Sequence, residues 1–464
     1  MKHIFYIFYV VCFLLLGAWN SAARAEVVLH AFDWPYTRVA QQATEIASLG
    51  YKAVLVVPPL KSGPDCAWYI RYQPQDLRTI DHCRGNSESF KSMVTALKAV
   101  QVKVYADLVL NHMANERNGA LDFPGAAAVS DYQARAGYWS LQRLFGDLRY
   151  GIFGASDFNE ARCISNYNDV WQVQNWRLCG GAGDLGLPDL RDSTWVIQQQ
   201  REYLRALNAL GVDGYRIDAA KHMKPAQLNG VFTTDIVGSR YVFAEIITGG
   251  GAGTSEYDSF LAPFLRDYPR FAAYDFPLLN TLKRSFGLGG SMSNLVDPGA
   301  YGQALNPFRA LTVVTTHDIP NNSGFRYLIF DPTDEKLAYA YVLGRDGGTP
   351  MLYSDYTQGD NSRWFDAHKN ADLVKMVRFH NRMQGLGQEM LAWNDCAILF
   401  RRAQDGIVGI NKCGSEVVFN VNTNQRFFWN RNYREQLTQS VLRISTSTQT
   451  FRLAPRAAAI WVIE

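Results

Sequence analysis

Residues 214–222 read GYRIDAAKH, a short β-prone run that ends in an aspartate and is followed at once by Lys221 and His222. A strand that stops on an ionisable residue is informative only if it recurs, and here it does. VKVYADLVL (102–110) runs into Asn111-His112, YVFAE (241–245) ends in Glu245, and ALTVVTT (310–316) runs into His317-Asp318. Four further runs, VVLHAF (27–32), AVLVV (53–57), RFAAYDF (270–276) and TPMLY (349–353), bring the strand candidates to eight. Amphipathic stretches lie between them: Val39, Ala43, Ile46 and Ala47 share one helical face, as do Val196, Tyr203, Leu204, Leu207 and Leu210. Eight strands alternating with helices predict the α/β class and a closed parallel (β/α)8 TIM barrel.

The alternation breaks twice. Between His112 and about Leu187 the chain is rich in Gly, Asn and Asp and loses its periodicity, which predicts an irregular domain inserted after strand three. After a helix near Ala371–Met383 come short alternating strands such as EVVFNVN and RAAAIWVIE, which predict a C-terminal antiparallel β-sandwich. The expected division is residues 26–112 and 190–386 for the barrel, 113–189 for the insertion and 387–464 for the β domain. The Gly-rich run Thr248–Gly253 lacks the lysine and the strand-to-helix setting of a phosphate loop and reads as a loop at the barrel mouth.

Residues 1–25 carry an early lysine, an apolar run from Ile4 to Ala18 and the triplet Ala23-Arg24-Ala25, the order of a secretory signal peptide. The run falls short of the ~20 residues a spanning helix needs, so no membrane anchor is expected in the mature form. Lys2 and Arg24 leave with it, so 46 basic residues become 44 against 43 acidic ones. Such balance offers no electrostatic footprint for nucleic acid or anionic lipid. Seven cysteines become six when Cys12 leaves, an even number for a secreted (periplasmic or extracellular) chain. Six allow fifteen connectivities. The simplest is local: Cys66 with Cys83, Cys163 with Cys179, and Cys396 with Cys413, the last across a hairpin turning near Asp405-Gly406. No C-x₂-C pair suggests zinc.

Reactive groups of such barrels sit at the C-terminal strand ends. Side-chain alternation puts Arg216 and Asp218 on one face, Phe243 and Glu245 on one face, and Thr316 and Asp318 on one face. If those faces look inward, three carboxylates meet in one cavity, an arrangement that is electrostatically costly without a use. Hydrolysis of a sugar acetal with retention uses one ionised carboxylate and one protonated one. Asp218, beside Arg216, suits the ionised role; Glu245, after an apolar run, suits the protonated one; Asp318 would stabilise the transition state.

DLVLNH, GYRIDAAKH, FAE and TTHD resemble the four ordered sequence regions of the α-amylase family, glycoside hydrolase family 13. HAFDWPY, WYIRYQP, LPDL and AYDFPLLNTL extend the resemblance over nearly the whole mature chain, and NYNDVWQV and RIDAAKHM resemble the animal-type members and their bacterial relatives. The resemblance implies Asp218 as nucleophile, Glu245 as acid/base and Asp318 as stabiliser, acting on α-1,4-glucan. It implies that His112 and His317 bind hydroxyls, Tyr72 stacks on the sugar with Trp68 and Tyr69 as further platforms, Arg216 positions the nucleophile, and Lys221 and His222 reach toward the leaving group. It also implies a structural calcium ion held by the side chains of Asn111 and Asp189 and the carbonyls of Arg177 and His222, with Asp184 as the alternative to Asp189. One departure bears on chloride: Thr316 and Met351 stand where the animal-type enzymes place an asparagine and usually an arginine around the anion, so chloride is not expected. A monomer is expected. The competing readings are an α-glucosidase or glucan transferase of the same family, and a non-catalytic carbohydrate-binding or partner-chaperone relative.

Overall fold

The computed structural model describes residues 26–116, 119–181, 183–357 and 362–464. The expected signal peptide lies outside them. Eight parallel strands close into a barrel: β1 (Val28–Phe32), β2 (Ala53–Val56), β3 (Lys103–Leu108), β4 (Gly214–Ile217), β5 (Tyr241–Ala244), β6 (Ala272–Tyr274), β7 (Ala310–Thr312) and β8 (Thr349–Asp355). Each strand pairs with its neighbours in sequence, and β8 returns to β1 with Phe32 opposite Asp355. The strands are buried along nearly their whole length, because the barrel interior covers one face and the helices cover the other. This is why they read as continuous apolar runs.

The helices dock by the faces their sequences mark. In Thr194–Leu210 the side chains of Val196, Tyr203, Leu204 and Leu207 are buried and Leu210 is partly so; Ser193 caps the start through Val196 N, and Gly211, at φ 94°, ends it. Ser87–Ala99 begins with a capping box between Asn86 and Ser89. The described residues of 113–189, between β3 and the helix before β4, form short helices and isolated bridges, one of them from Asp189 back to His112.

After the helix Ala371–Arg382 come β9 (Gln388–Trp393), β10 (Ala397–Arg402), β11 (Gly406–Asn411), β12 (Val417–Asn422), β13 (Arg431–Glu435), β14 (Val441–Ile444), β15 (Thr448–Leu453) and β16 (Ala457–Ile463). They make an antiparallel six-stranded sheet, β9-β10-β11-β16-β13-β14, and the ribbon β12-β15, around a separate core that includes Leu399, Tyr433, Phe451 and Trp461. The buried Arg402 joins this domain to the barrel by donating to the carbonyls of Gly344, Arg345, Met383 and Leu386. The structure bonds Cys66 to Cys83, Cys163 to Cys179 and Cys396 to Cys413. Among the described residues no helix is long and apolar enough to cross a membrane.

Candidate active site

β4 delivers Arg216 inward, where it is fully buried, and Asp218 follows the strand with its N–H still bonded to Leu108 O. β5 delivers Glu245 in the same way, its N–H on Ile217 O. The Arg216 guanidinium then gathers the carboxylates: Nη1 donates to Asp107 Oδ1 at 2.5 Å and Asp218 Oδ1 at 2.9 Å, and Nη2 to Glu245 Oε1 at 2.5 Å. The other Glu245 oxygen accepts from Ala219 N at 3.1 Å. Ala219 sits at φ 47°, so a strained turn just after Asp218 aims this amide at Glu245.

Asp318 arrives by a different route from the one its sequence suggests. β7 ends at Thr312, and Asp318 opens a helical turn, Asp318–Asn321, so alternation with Thr316 along a strand does not place it. Asp107, which the sequence reading passed over, is a fourth carboxylate, holding Arg216 through one oxygen and Tyr72 OH through the other at 3.0 Å. A lone aspartate inside the apolar run VYADLVL was the signal that could have found it.

Three buried carboxylates bond the Arg216 guanidinium and the partly buried Asp318 lies beside them, so each negative charge opposes the others. Burial pushes Asp107 up to about 6 against the pull of Arg216. Burial pushes Asp318 up to about 8, and the charge on Glu245, to which it is hydrogen-bonded, adds to the rise. Asp218 is also raised by burial, with Arg216 opposing and Glu245 and Asp107 reinforcing. The Arg216 guanidinium is shared three ways, so its pull on Asp218 is divided among three carboxylates.

Aromatic and histidine side chains wall the cavity, whose volume is about 590 Å³ and whose lining includes Trp68, Tyr69, Tyr72, Asp218, Glu245 and Asp318. His317 lies stacked between Phe32, at 4.7 Å, and Tyr72, at 5.1 Å, and burial holds it neutral. His112 Nε2 bonds Tyr72 O at 3.0 Å, and burial lowers its pKa to about 4. Lys221 reaches the cavity and pairs with Glu256 at 2.6 Å, whose second oxygen accepts from Gly249 N. Glu256 was not anticipated; only its place beyond the Gly-rich mouth loop hinted at it. His222 faces the cavity with Nδ1 tied to Val173 O at 3.1 Å.

Two of the four implied calcium ligands, Asn111 and Asp189, lie side by side where the inserted segment meets the barrel. Leu190 N bonds Asn111 O, and the Asn111 side chain hydrogen-bonds Asp189, setting those two side by side. Asp189 is 2 % exposed, and its Oδ2 accepts from Asn159 Nδ2 at 2.6 Å. Arg177 bridges to Cys163, its carbonyl accepting from Ile164 N at 3.1 Å, and His222 is tied to Val173. Asp184 is occupied elsewhere, accepting from Asn115, Gly180 and Gly186. No three His, Cys, Asp or Glu side chains gather for a metal among the described residues. The set offers one carboxylate, one amide and carbonyls, which suits a hard cation.

A closed (β/α)8 barrel with buried carboxylates clustered at its C-terminal face defines a hydrolase of the glycoside-cleaving kind. Residues 38–248 match the model of the α-amylase catalytic domain. The chain is 49% identical over 438 residues to an α-amylase from Aeromonas hydrophila, covering 93% of this chain and 94% of that one. It is 30% identical to the pancreatic α-amylase of Rattus norvegicus, covering 77% and 72%. A solved structure of α-amylase I from Eisenia fetida, a variant in complex with maltohexaose, superposes with a TM-score of 0.75 at 22% identity, over 95% of this chain and 97% of that one. The chain belongs to the α-amylase family of glycoside hydrolases.

Proposed function

We propose that this enzyme hydrolyses internal α-1,4 bonds of starch, glycogen and maltooligosaccharides with retention, through a glycosyl intermediate on Asp218. The observation that carries the reading is the bridging of Asp218 and Glu245 by the two terminal nitrogens of one guanidinium. A retaining pair stands only ~5–5.5 Å apart, and a shared guanidinium supports that reading by holding the two carboxylates near each other. Asp218 attacks the anomeric carbon while Glu245 gives a proton to the leaving oxygen, and Asp318 stabilises the charge that develops on the sugar. In the second half Glu245 takes a proton from a water whose oxygen bonds the anomeric carbon and displaces Asp218. Trp68, Tyr69 and Tyr72 offer apolar faces to sugar rings, His112 and His317 polar edges to hydroxyls, and Lys221 and His222 serve the leaving-group side. The test is Asp218→Asn. Hydrolysis of soluble starch should fall by at least about 10⁴-fold while maltoheptaose still binds; unchanged turnover would remove Asp218 from this role.

An endo-acting enzyme should cut soluble starch far faster than maltose, and the reverse order would favour the α-glucosidase reading. The carboxylate set speaks against a non-catalytic role. Calcium bound by Asn111, Asp189 and the carbonyls of Arg177 and His222 would hold the inserted segment to the barrel. Chloride is not required: three carboxylates already bond Arg216, so an anion placed there would meet an excess of negative charge. A several-fold activation of dialysed enzyme by chloride would overturn that. Three disulfides suit a monomer exported to an oxidising compartment.

A further inference from the structure

After the turn that carries Asp318, the chain runs through Ser323–Leu328, a 3₁₀ segment that lines the same cavity through Phe325 and Tyr327. Its backbone is anchored on every side. Asn322 caps it through Gly324 N at 3.0 Å, Arg326 Nε donates to Pro320 O at 3.3 Å, Lys283 bonds Ile329 O, and Arg363 bonds Phe330 O at 2.7 Å. Leu328 and Phe330 are buried, yet Tyr327 beside them is 62 % exposed. Among the described residues its ring stacks on no other. A large aromatic ring held in a cleft on a fixed backbone, with its faces open, has lost much of its conformational freedom before any ligand arrives, which favours binding.

Its position along the cleft follows from packing. Ile329 joins the cluster of Phe32, Tyr353, Trp364 and Trp68, so the segment rests on β1 and β8. The Lys221–Glu256 pair comes from the loops after β4 and β5, on the opposite arc of the barrel. Tyr69, itself half exposed, stands beside Trp68 with ring centres 6.1 Å apart. Building on the proposed function, in which Lys221 marks the leaving-group side, we infer that Tyr327 is a specificity-determining residue. Its ring stacks on a glucose unit of the glycone side, separated by at least one further unit from the sugar at the cleaved bond, and helps choose which bond of a chain is cut.

The experiment uses maltoheptaose labelled at its reducing end, with maltotriose as the short comparison. Tyr327→Ala should lower kcat/KM on maltoheptaose by about 3- to 10-fold, the scale of one aromatic stacking interaction, and on maltotriose, too short to reach the ring, by less than about 2-fold. Cleavage should shift toward bonds nearer the non-reducing end, because the register that fills the platform loses its advantage. Tyr327→Trp should restore the wild-type pattern, and Phe308→Ala, an exposed aromatic just before the start of β7 at the far end of the barrel, should leave it unchanged. An unaltered cleavage pattern in Tyr327→Ala, or an equal loss on both substrates, would overturn the inference. A wild-type enzyme that does not cut maltoheptaose would instead sink the endohydrolase reading on which it rests.

Discussion

Burial and the neighbouring Glu245 raise the Asp318 carboxyl to about 8, so it keeps its proton through neutral pH and loses it as pH rises. If that ionisation governs turnover, the alkaline limb of kcat/KM for the free enzyme should fall near pH 8. Asp318→Asn, whose side chain does not ionise, should leave a residual activity whose alkaline limb no longer falls near pH 8. A limb that stays near pH 8 in this variant would assign it to another group. At this scale the sequence was legible where an acid ended a strand: Asp218 and Glu245 lie where the inward faces of β4 and β5 put them. It was illegible where a side chain works from within a strand or beyond a turn. Asp107 is a buried partner flanked by apolar residues, and Asp318 reaches the cluster through a helical turn that alternation does not describe.

Elements were easier to read than their ends. All eight barrel strands stand within the expected runs or within two residues of them, since burial on both faces writes an unbroken apolar signature. The ends differ because strand pairing stops where the mouth loops begin: β7 is three residues long within a run of seven. The hairpin of β10 and β11 turns at Ala403–Asp405 as its Asp-Gly pair suggested, with Cys396 and Cys413 at its open end. A bridge closing a loop of that length stabilises by about 3 kcal/mol. Replacing both cysteines by serine should lower the denaturant midpoint accordingly and leave kcat on maltoheptaose unchanged, the cleft being far from this domain. A loss of turnover at a temperature where the variant remains folded would contradict that independence.

For the whole molecule the informative test is removal of calcium. If the ion is bound at ~100–1,000 times its Kd, withdrawing it with a chelator costs about 2.7–4 kcal/mol. The unfolding temperature should drop by several degrees and recover with excess calcium. Asn111→Ala should produce the drop without chelator, whereas Asp184→Asn should respond to chelator as the wild type does. An unfolding temperature indifferent to chelator would remove the ion from the account. The ligand set was beyond reading from residue spacing alone, because two of its four members are backbone oxygens, which leave no trace in side-chain chemistry.

Tyr72 OH is held by Asp107, Asp107 by Arg216, and Arg216 by Asp218 and Glu245, so the wall that receives the sugar and the groups that cleave it share one scaffold of hydrogen bonds. Conditions that displace the guanidinium should therefore loosen the sugar-binding wall and the cleaving groups together, so that on warming, hold on the polymer and power to break it decline in step.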